Sequence, residues 1–303
     1  MKITKPNNIR NTQYHFIGII LLFLNYIRNN IVGYKTPRTF SIDQIERAIE
    51  YDFGVTEGWI RHLSNYLKQT DFLKDKIVLE LCPGPDLGTG LVLLAAGAKK
   101  YIALDVNKLA ASDLKEFYSK FFVRLRDKYP RCDVDYLKEQ LNSCYRKEKS
   151  NVNYIVDKKF QVSKIKDKID IVFSQAAFEH FSDLEETFRD VSSIVKKGGV
   201  LVAEVDLKTH TRWIRDKDPL NIYRHNDFLW NLLKFKGSPN RARTFEYKKL
   251  LEKNGWFDIQ IVPQNVLEDE YVGKVKPTLY KRFRNMNSSE MRILSFMLIA
   301  KKG

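Results

Sequence analysis

Three glycines, Gly84, Gly88 and Gly90, lie between two acids, Glu80 and Asp105, in the stretch IVLELCPGPDLGTGLVLLAAGAKKYIALDVN at 77–107. Glu80 belongs to a short apolar run, Ile77 to Leu81, that reads as a strand. The glycines form a turn, an apolar helical stretch follows, and a second apolar run, Tyr101 to Leu104, is closed by Asp105. Strand, glycine turn, helix, strand and acid, in that order, make a nucleoside-binding βαβ unit. The glycines take dihedrals that a side chain forbids and let the backbone approach a ligand closely. Asp105, at the end of the second strand, is placed to accept hydrogen bonds from two ribose hydroxyls. Cys82-Pro83-Gly84-Pro85-Asp86-Leu87 lacks the dinucleotide spelling G-x-G-x-x-G, and no Lys followed by Ser or Thr comes after Gly88 or Gly90 as a P-loop requires.

The spelling that is present, E-x-C-x-G-x-D-x-G from Glu80 to Gly88, resembles motif I of class I S-adenosylmethionine (SAM) dependent methyltransferases. In that family the turn curls round the methionine moiety and the acid after the second strand grips the ribose. The chain departs from the common E-x-G-x-G-x-G form at Cys82 and Asp86, which leaves Gly84 as the firmest match. Further segments follow in the family's order. KIDIVFS (168–174) suits the fourth strand, and Gln175 to Phe181 is similar to the segment S-x-x-x-[LF]-E-H-[VF]. Asp183 to Lys196 is helical, with Leu184, Phe188, Val191 and Ile194 on one face. Lys197-Gly198-Gly199 stops that helix, and VLVAEV (200–205) is a fifth strand. Trp256 to Val262 and Ile293 to Ala300 suit the family's last, antiparallel pair.

The resemblance spans roughly residues 40–303. It implies an α/β, Rossmann-like fold: a seven-stranded, mostly parallel sheet with an antiparallel last strand and helical insertions. The cofactor implied is S-adenosyl-L-methionine, with Glu80, Cys82, Gly84, Asp105, Val106, Ser174 and Gln175 around it. A third strand, VNYIV (152–156), ends at Asp157, where a family member usually carries an acid that receives the adenine amino group.

These elements are expected to fall into an apolar and basic N-terminal segment, 1–37, and a methyltransferase domain, 38–303, with insertions near 107–151 and 207–250. A chain of 303 residues with 44% hydrophobic content can bury one large core. Cys82, Cys132 and Cys144 are too few and too scattered for a disulfide framework or a zinc site, which suits a reducing, cytoplasmic setting. The net charge of +15 attracts polyanions, although a generally lysine-rich composition accounts for it equally well. No aromatic RNA-binding strand is visible, so nucleic acid is a minor expectation.

Near the N-terminus, YHFIGIILLFLNYI (14–27) is almost wholly apolar between Lys5 and Arg10 on one side and Arg28 on the other. Fourteen helical residues span about 21 Å, short of the roughly 30 Å hydrocarbon core. Three placements stay open: a helix on the domain's own apolar surface, an in-plane membrane anchor with basic flanks, and a short spanning segment. Ser41-Ile42-Asp43-Gln44 resembles a capping box that opens a helix through Tyr51, and Gly58 to Leu67 gives another. The family commonly places a lid over the cofactor there, but Tyr51 itself reads best as a core aromatic. Leu109 to Leu125 and Val134 to Tyr145 read as helices of the first insertion.

Methyl transfer from an activated sulfonium asks for alignment, and for proton removal when the acceptor is a hydroxyl. Asp206-Leu207-Lys208-Thr209-His210 directly follows the fifth strand, so Asp206 and His210 are the candidate orienting acid and general base. Some O-methyltransferases hold a divalent metal through E-x-x-E-H. Here Ala176 replaces the first Glu, and Glu179-His180 alone make a poor set, so no metal is expected. The nucleobase spelling [DNS]-P-P-[YFW] is absent after the fourth strand, where Ser174-Gln175-Ala176-Ala177 stands. The segment from Trp230-Asn231 to Tyr247 resembles the W-N…P-N-R-x-R-x-x-[DE]-Y segment of bacterial small-molecule and glycan-cluster methyltransferases. Its aromatic, Arg and Asn side chains suit a polar acceptor; they equally suit a helical cover that packs Trp230 and Leu233 on the sheet, with Arg241 capping a helix.

The sequence therefore points to O-methylation of a small molecule, glycan or lipid-linked acceptor. The alternatives are an RNA methyltransferase and a SAM-binding subunit without catalysis, with peripheral membrane contact through 14–27 an open question.

Overall fold

The computed structural model describes residues 1–6, 9–33, 42–110 and 114–303, with backbone alone for 42–43. Its centre is an eight-stranded sheet. The strands are β1 (Lys2–Thr4), β2 (Ile77–Leu81), β3 (Lys100–Asp105), β4 (Val152–Val156), β5 (Ile169–Gln175), β6 (Val195–Asp206), β7 (Trp256–Leu267) and β8 (Ile293–Lys302). Their order across the sheet is β1-β7-β8-β6-β5-β2-β3-β4. Every pairing is parallel except those of β8, which runs antiparallel to β6 and β7. The expected seven strands are all present in this order. The eighth, β1, pairs with Asn265 to Leu267 at the far edge; three residues, Lys-Ile-Thr, are too short a run for a periodic signal.

The helices are α1 (Asn11–Val32), α2 (Ile42–Leu67), α3 (Gly88–Ala95), α4 (Lys115–Lys128), α5 (Val134–Arg146), α6 (Leu184–Ile194), α7 (Arg212–Arg215), α8 (Asp227–Leu233), α9 (Thr244–Lys253), α10 (Asp269–Val275), α11 (Lys281–Arg284) and α12 (Ser288–Arg292). The strand-buried residues alternate between two faces. Val200 and Val202 of β6 join α2, α3, α4 and α5 on one side. Leu201, Ala203 and Val205 join α6 and α9 on the other. That two-sided cover is why β2 and β3 read as continuous apolar runs.

Two expectations change. One helix, α2, replaces the two expected before the first strand; Ser41, the opening residue of the supposed capping box, lies outside the described residues, as does the 37/38 boundary. Gly54 and Gly58 sit inside α2, where Trp59 stacks on Phe173 with ring centroids 5.0 Å apart and carries the helix across the sheet. The helix expected from Leu109 begins at Lys115, and 111–113 lie outside the described residues. In the 107–151 stretch, Phe117, Phe121, Leu125, Leu137 and Leu141 join the core of the domain. Trp230 and Leu233 pack in a third cluster with Leu22 of α1, Tyr271 of α10, Leu267 of β7 and Leu294 of β8.

Candidate active site

The chain runs from β2 outward to β3 and β4, then returns to β5 on the other side of β2, so the topological switch point lies between β2 and β5. Ligands of open α/β sheets bind outside the carboxyl ends of the strands at such a point. Two non-glycine residues adopt left-handed backbone immediately there, Cys82 after β2 (φ 60) and Ala176 after β5 (φ 47). Each is held by a neighbouring strand: Cys82 donates its N–H to the Leu104 carbonyl (2.8 Å) and Ala176 donates to Glu204 (2.9 Å). Cys82 thus keeps the conformation that glycine adopts at lower cost.

The glycines divide by role. Gly84 has φ +89, and a Cβ there would meet nothing within 4 Å, so the turn is open to a ligand. A Cβ on Gly88 or Gly90 would instead meet Asp52 at 2.0 Å or the Tyr101 ring at 2.1 Å. Those two glycines admit protein side chains, which corrects the expectation of ligand approach along the whole turn. Asp86 accepts the Gly88 N–H (2.8 Å) and so ties the turn to the start of α3. Glu80 is buried under the turn and accepts hydrogen bonds from Thr89 (2.6 Å) and Tyr101 (2.5 Å). Burial pushes its pKa up to about 7 against those two donors.

Asp105 Oδ1 accepts the Asn107 N–H at 3.0 Å, while Oδ2 is buried with no hydrogen-bond partner. Burial raises its pKa, opposed by the N–H groups of Asn107, Val106 and Gly84. An acceptor left vacant beside an open glycine turn fits the ribose of a nucleoside. Asp157 is differently engaged: Oδ1 accepts Lys159 N–H (3.0 Å) and Oδ2 accepts Gln161 N–H (3.1 Å), which lowers its pKa. Ser174 Oγ reaches the Leu81 carbonyl at 3.3 Å across the switch point.

A cavity of about 280 Å³ with a mixed lining, Val55 and Met297 among its apolar members, opens between α2 and the carboxyl ends of β5 and β6. Tyr51, Arg61, His62, Gln175, Glu204 and Gln264 line it. Gln175 donates to Glu204 at 2.8 Å, as their facing register in β5 and β6 requires. Tyr51 is 58% exposed there, so it is not the core aromatic expected.

Beyond β5 and β6 the fold brings together Glu179, His180 and His210, whose potential ligand atoms lie within 4.8 Å of one another. Glu179 is buried, and neither carboxylate oxygen has a hydrogen-bond partner. Its nearest cations-to-be are His210 Nε2 at 3.7 Å and His180 Nε2 at 4.0 Å, both beyond hydrogen-bond length. His180 Nδ1 meets the Gly237 carbonyl (2.6 Å) and His210 Nδ1 meets that of Lys208 (2.8 Å). Both carbonyls can only accept, so each Nδ1 carries a proton, and each Nε2 faces the Glu179 carboxylate, which favours a proton taken up there. Burial lowers the His180 pKa; for His210 the same burial is outweighed by Glu179 and Asp206, and its pKa is raised. Asp206 itself accepts the Lys208 N–H and pairs with Lys208 Nζ at 3.1 Å. Burial raises the Cys82 thiol pKa, and the charges of Asp105, Glu80 and Glu179 add to it.

A methyltransferase domain model matches residues 54–261, more than half the chain. The chain belongs to the methyltransferase family. S-adenosylmethionine is the methyl donor this family uses, and Asp105 and Gly84 are the features that fit it here. No curated protein matches the sequence. Among solved structures, a protein from Listeria monocytogenes described as a SAM-dependent methyltransferase is 18% identical, with 79% of this chain and 97% of that one covered and a TM-score of 0.41. The CurJ carbon methyltransferase is 13% identical, with 96% and 69% covered and a TM-score of 0.47. Phosphoethanolamine N-methyltransferase 2 of Haemonchus contortus, in complex with S-adenosyl-L-methionine, is 12% identical, with 96% and 58% covered and a TM-score of 0.45. These likenesses are too distant to bear on the acceptor.

In this methyltransferase the N-R-x-R segment turns inward. Arg241 donates to the carbonyls of Ile222 and His225 and to Asp227, under the Trp230 ring at 4.7 Å. Ile222 lies in the 3-10 turn Asn221–Tyr223, so Arg241 holds the carbonyl end of that turn. Arg243 is fully buried and donates to Tyr223 Oη and to the carbonyls of Ile293 and Glu290. Asn240 bonds the backbone of Phe178, Glu179 and Phe181. The cover thus positions Glu179 and, through Gly237, His180. Sequence reasoning missed the meeting of Glu179 with His210 because 31 residues separate them and only the β5–β6 pairing joins them.

Proposed function

We propose that this SAM-dependent methyltransferase methylates an oxygen of a small molecule, a glycan or a lipid-linked acceptor. The observation that carries the proposal is the His210 imidazole, held by the Lys208 carbonyl through Nδ1 with its Nε2 turned toward the unpaired Glu179 carboxylate. A hydroxyl entering that space gives its proton to Nε2 as the oxygen attacks the methyl group, and Glu179 stabilises the imidazolium. Glu80 holds the turn, Asp105 takes the ribose, and Asp157, Ser174, Gln175, Cys82 and Val106 border the bound cofactor. The cavity beside Gln175 and Glu204 suits a polar acceptor. A second reading has its own support: Glu179, His180 and His210 offer one carboxylate and two imidazole ligands, a set that could hold a divalent cation against the acceptor oxygen.

The test is transfer of tritiated methyl from SAM into a fractionated lysate of the source organism. Label in the small-molecule, glycan or lipid fraction is expected; label confined to RNase-sensitive material would contradict the proposal. Transfer that survives EDTA supports His210 as the base. Loss to EDTA, restored by one divalent ion, assigns the cluster to a cation instead.

A further inference from the structure

The helix α1 has two opposite faces, and only one is covered. Tyr14, Gly18 and Leu22 are buried against the domain, and Asn25 follows on the same line. At Gly18 the fit is close: a Cβ there would lie 2.2 Å from Asn221. Asn221 donates to the Tyr14 carbonyl (2.8 Å), Arg224 to Asn11 Oδ1 (3.0 Å), Asn11 to the Lys274 carbonyl (3.0 Å) and Asn25 to Thr211 Oγ1 (3.1 Å). These tethers run from Asn11 to Asn25, about 21 Å of helix at 1.5 Å per residue. The helix therefore lies flat along the domain and does not stand out from it as a spanning segment would.

The opposite face is apolar and open. Phe16 (61% exposed), Ile20, Phe23, Leu24 and Ile31 recur at helical spacing on that side. Other large apolar side chains stand out nearby: Trp213, 80% exposed, two residues from the tether at Thr211, and Phe228 on α8, which packs against α1. The segment's own charges have one sign: Lys2, Lys5, Arg10 and Arg28 are the charged residues of positions 1–33, with no acid among them. Lys5 is partly spoken for by Glu268, and Asp216 stands beside Arg215, but Arg10, Arg28 and Arg212 have no ion pair among the described residues. An apolar stripe with basic flanks and a neighbouring Trp is the arrangement of a helix that lies in a lipid headgroup layer.

We infer that α1, with Trp213 beside it, docks this protein in-plane on an anionic membrane surface. The apolar stripe enters the headgroup–acyl boundary and the basic residues pair with lipid phosphates. The charge complementarity decides for anionic lipid over a protein partner, and the inference does not rest on which acceptor is methylated.

The test is flotation of the full chain with vesicles of phosphatidylcholine alone or mixed with phosphatidylglycerol. The protein is expected to float with the mixed vesicles, and raised salt should release it. Ile20→Asp with Leu24→Asp should cut partitioning on the order of tenfold or more while the melting temperature and SAM affinity stay unchanged, because both side chains point away from the domain. Arg28→Gln, which leaves the stripe intact, should cut it about fivefold on the anionic vesicles only. Absence of flotation on either vesicle overturns the inference. So does a dimer in sedimentation velocity that Ile20→Asp with Leu24→Asp dissolves, since a second copy would then be what covers the stripe.

Discussion

The glycine turn at the carboxyl end of β2 and the cover formed by residues 207–290 are both rich in buried polar groups, and they differ in how they treat a buried carboxylate. In the cover, charge is matched within the protein. Arg224 binds Asp218 at 2.7 Å with both side chains out of solvent, and Asn221 and Tyr271 join the same carboxylate. The end nitrogens of Arg241 and Arg243 reach carbonyls, Tyr223 and Asp227. At the turn and just beyond it, acceptors are left vacant: one oxygen of Asp105 and both of Glu179. Folding gains nothing from such groups, since an unpaired buried polar atom costs about 1–3 kcal/mol. The unpaired atoms of the cover are nitrogens and a hydroxyl, on Arg215, His225, Arg241, Arg243 and Tyr247, whereas those of Asp105 and Glu179 are carboxylate oxygens. The kind of atom left vacant tells the two regions apart: only the second kind offers a ligand a charged acceptor.

The comparison breaks if substitutions in the two regions act alike. Arg243→Ala should destabilise the fold by about 3–5 kcal/mol, because it strands a buried network, and this is read by urea unfolding. The fraction that stays folded should bind SAM with its affinity intact. A loss of affinity without a loss of stability would move Arg243 from scaffold to site.

Asp105→Ala should do the reverse. Loss of a charged hydrogen-bond acceptor should weaken SAM binding by about 1.5–3 kcal/mol, on the order of tenfold to a hundredfold by titration calorimetry. The melting temperature of the unliganded protein should change little, because loss of the Asn107 N–H bond to Oδ1 is offset by removal of one buried unpaired oxygen.

The smallest effect sharpens the role of Glu80. Its pKa is raised on folding to about 7 from an ordinary 4.5, so the folded state holds the proton more tightly than the unfolded one. That contribution to stability is full below pH 4.5 and is lost as pH rises through 7. Glu80→Gln should therefore flatten the decline in stability between pH 5 and 8 by on the order of 1–2 kcal/mol. Parallel pH curves for the two proteins would mean that Glu80 is already ionised in the fold.

The strands, their order and the turn were legible because apolar runs, glycines and terminal acids are local signals. Cys82 shows the limit of spelling: it departs from the family letter yet keeps the left-handed backbone (φ 60). The cover was harder to read. The same Asn, Arg and Trp residues that suggest a sugar subsite are the parts of an internal scaffold, and nothing local distinguishes the two uses. α1 was recognised as apolar, but its length was underestimated, since Asn11 to Gln13 and Arg28 to Asn30 are polar residues that continue the helix on a protein surface. His210 was singled out by its place after a strand; its partner Glu179 emerges only when β5 and β6 stand side by side.

The most direct test of the account is single-turnover transfer of tritiated methyl from SAM by His210→Ala, once the lysate fraction holding the acceptor is in hand, alongside SAM binding by the same variant. The account predicts unchanged SAM affinity with transfer slowed by about 10²–10⁴-fold. Transfer at the original rate would contradict it and return the Glu179–His180–His210 cluster to the scaffold.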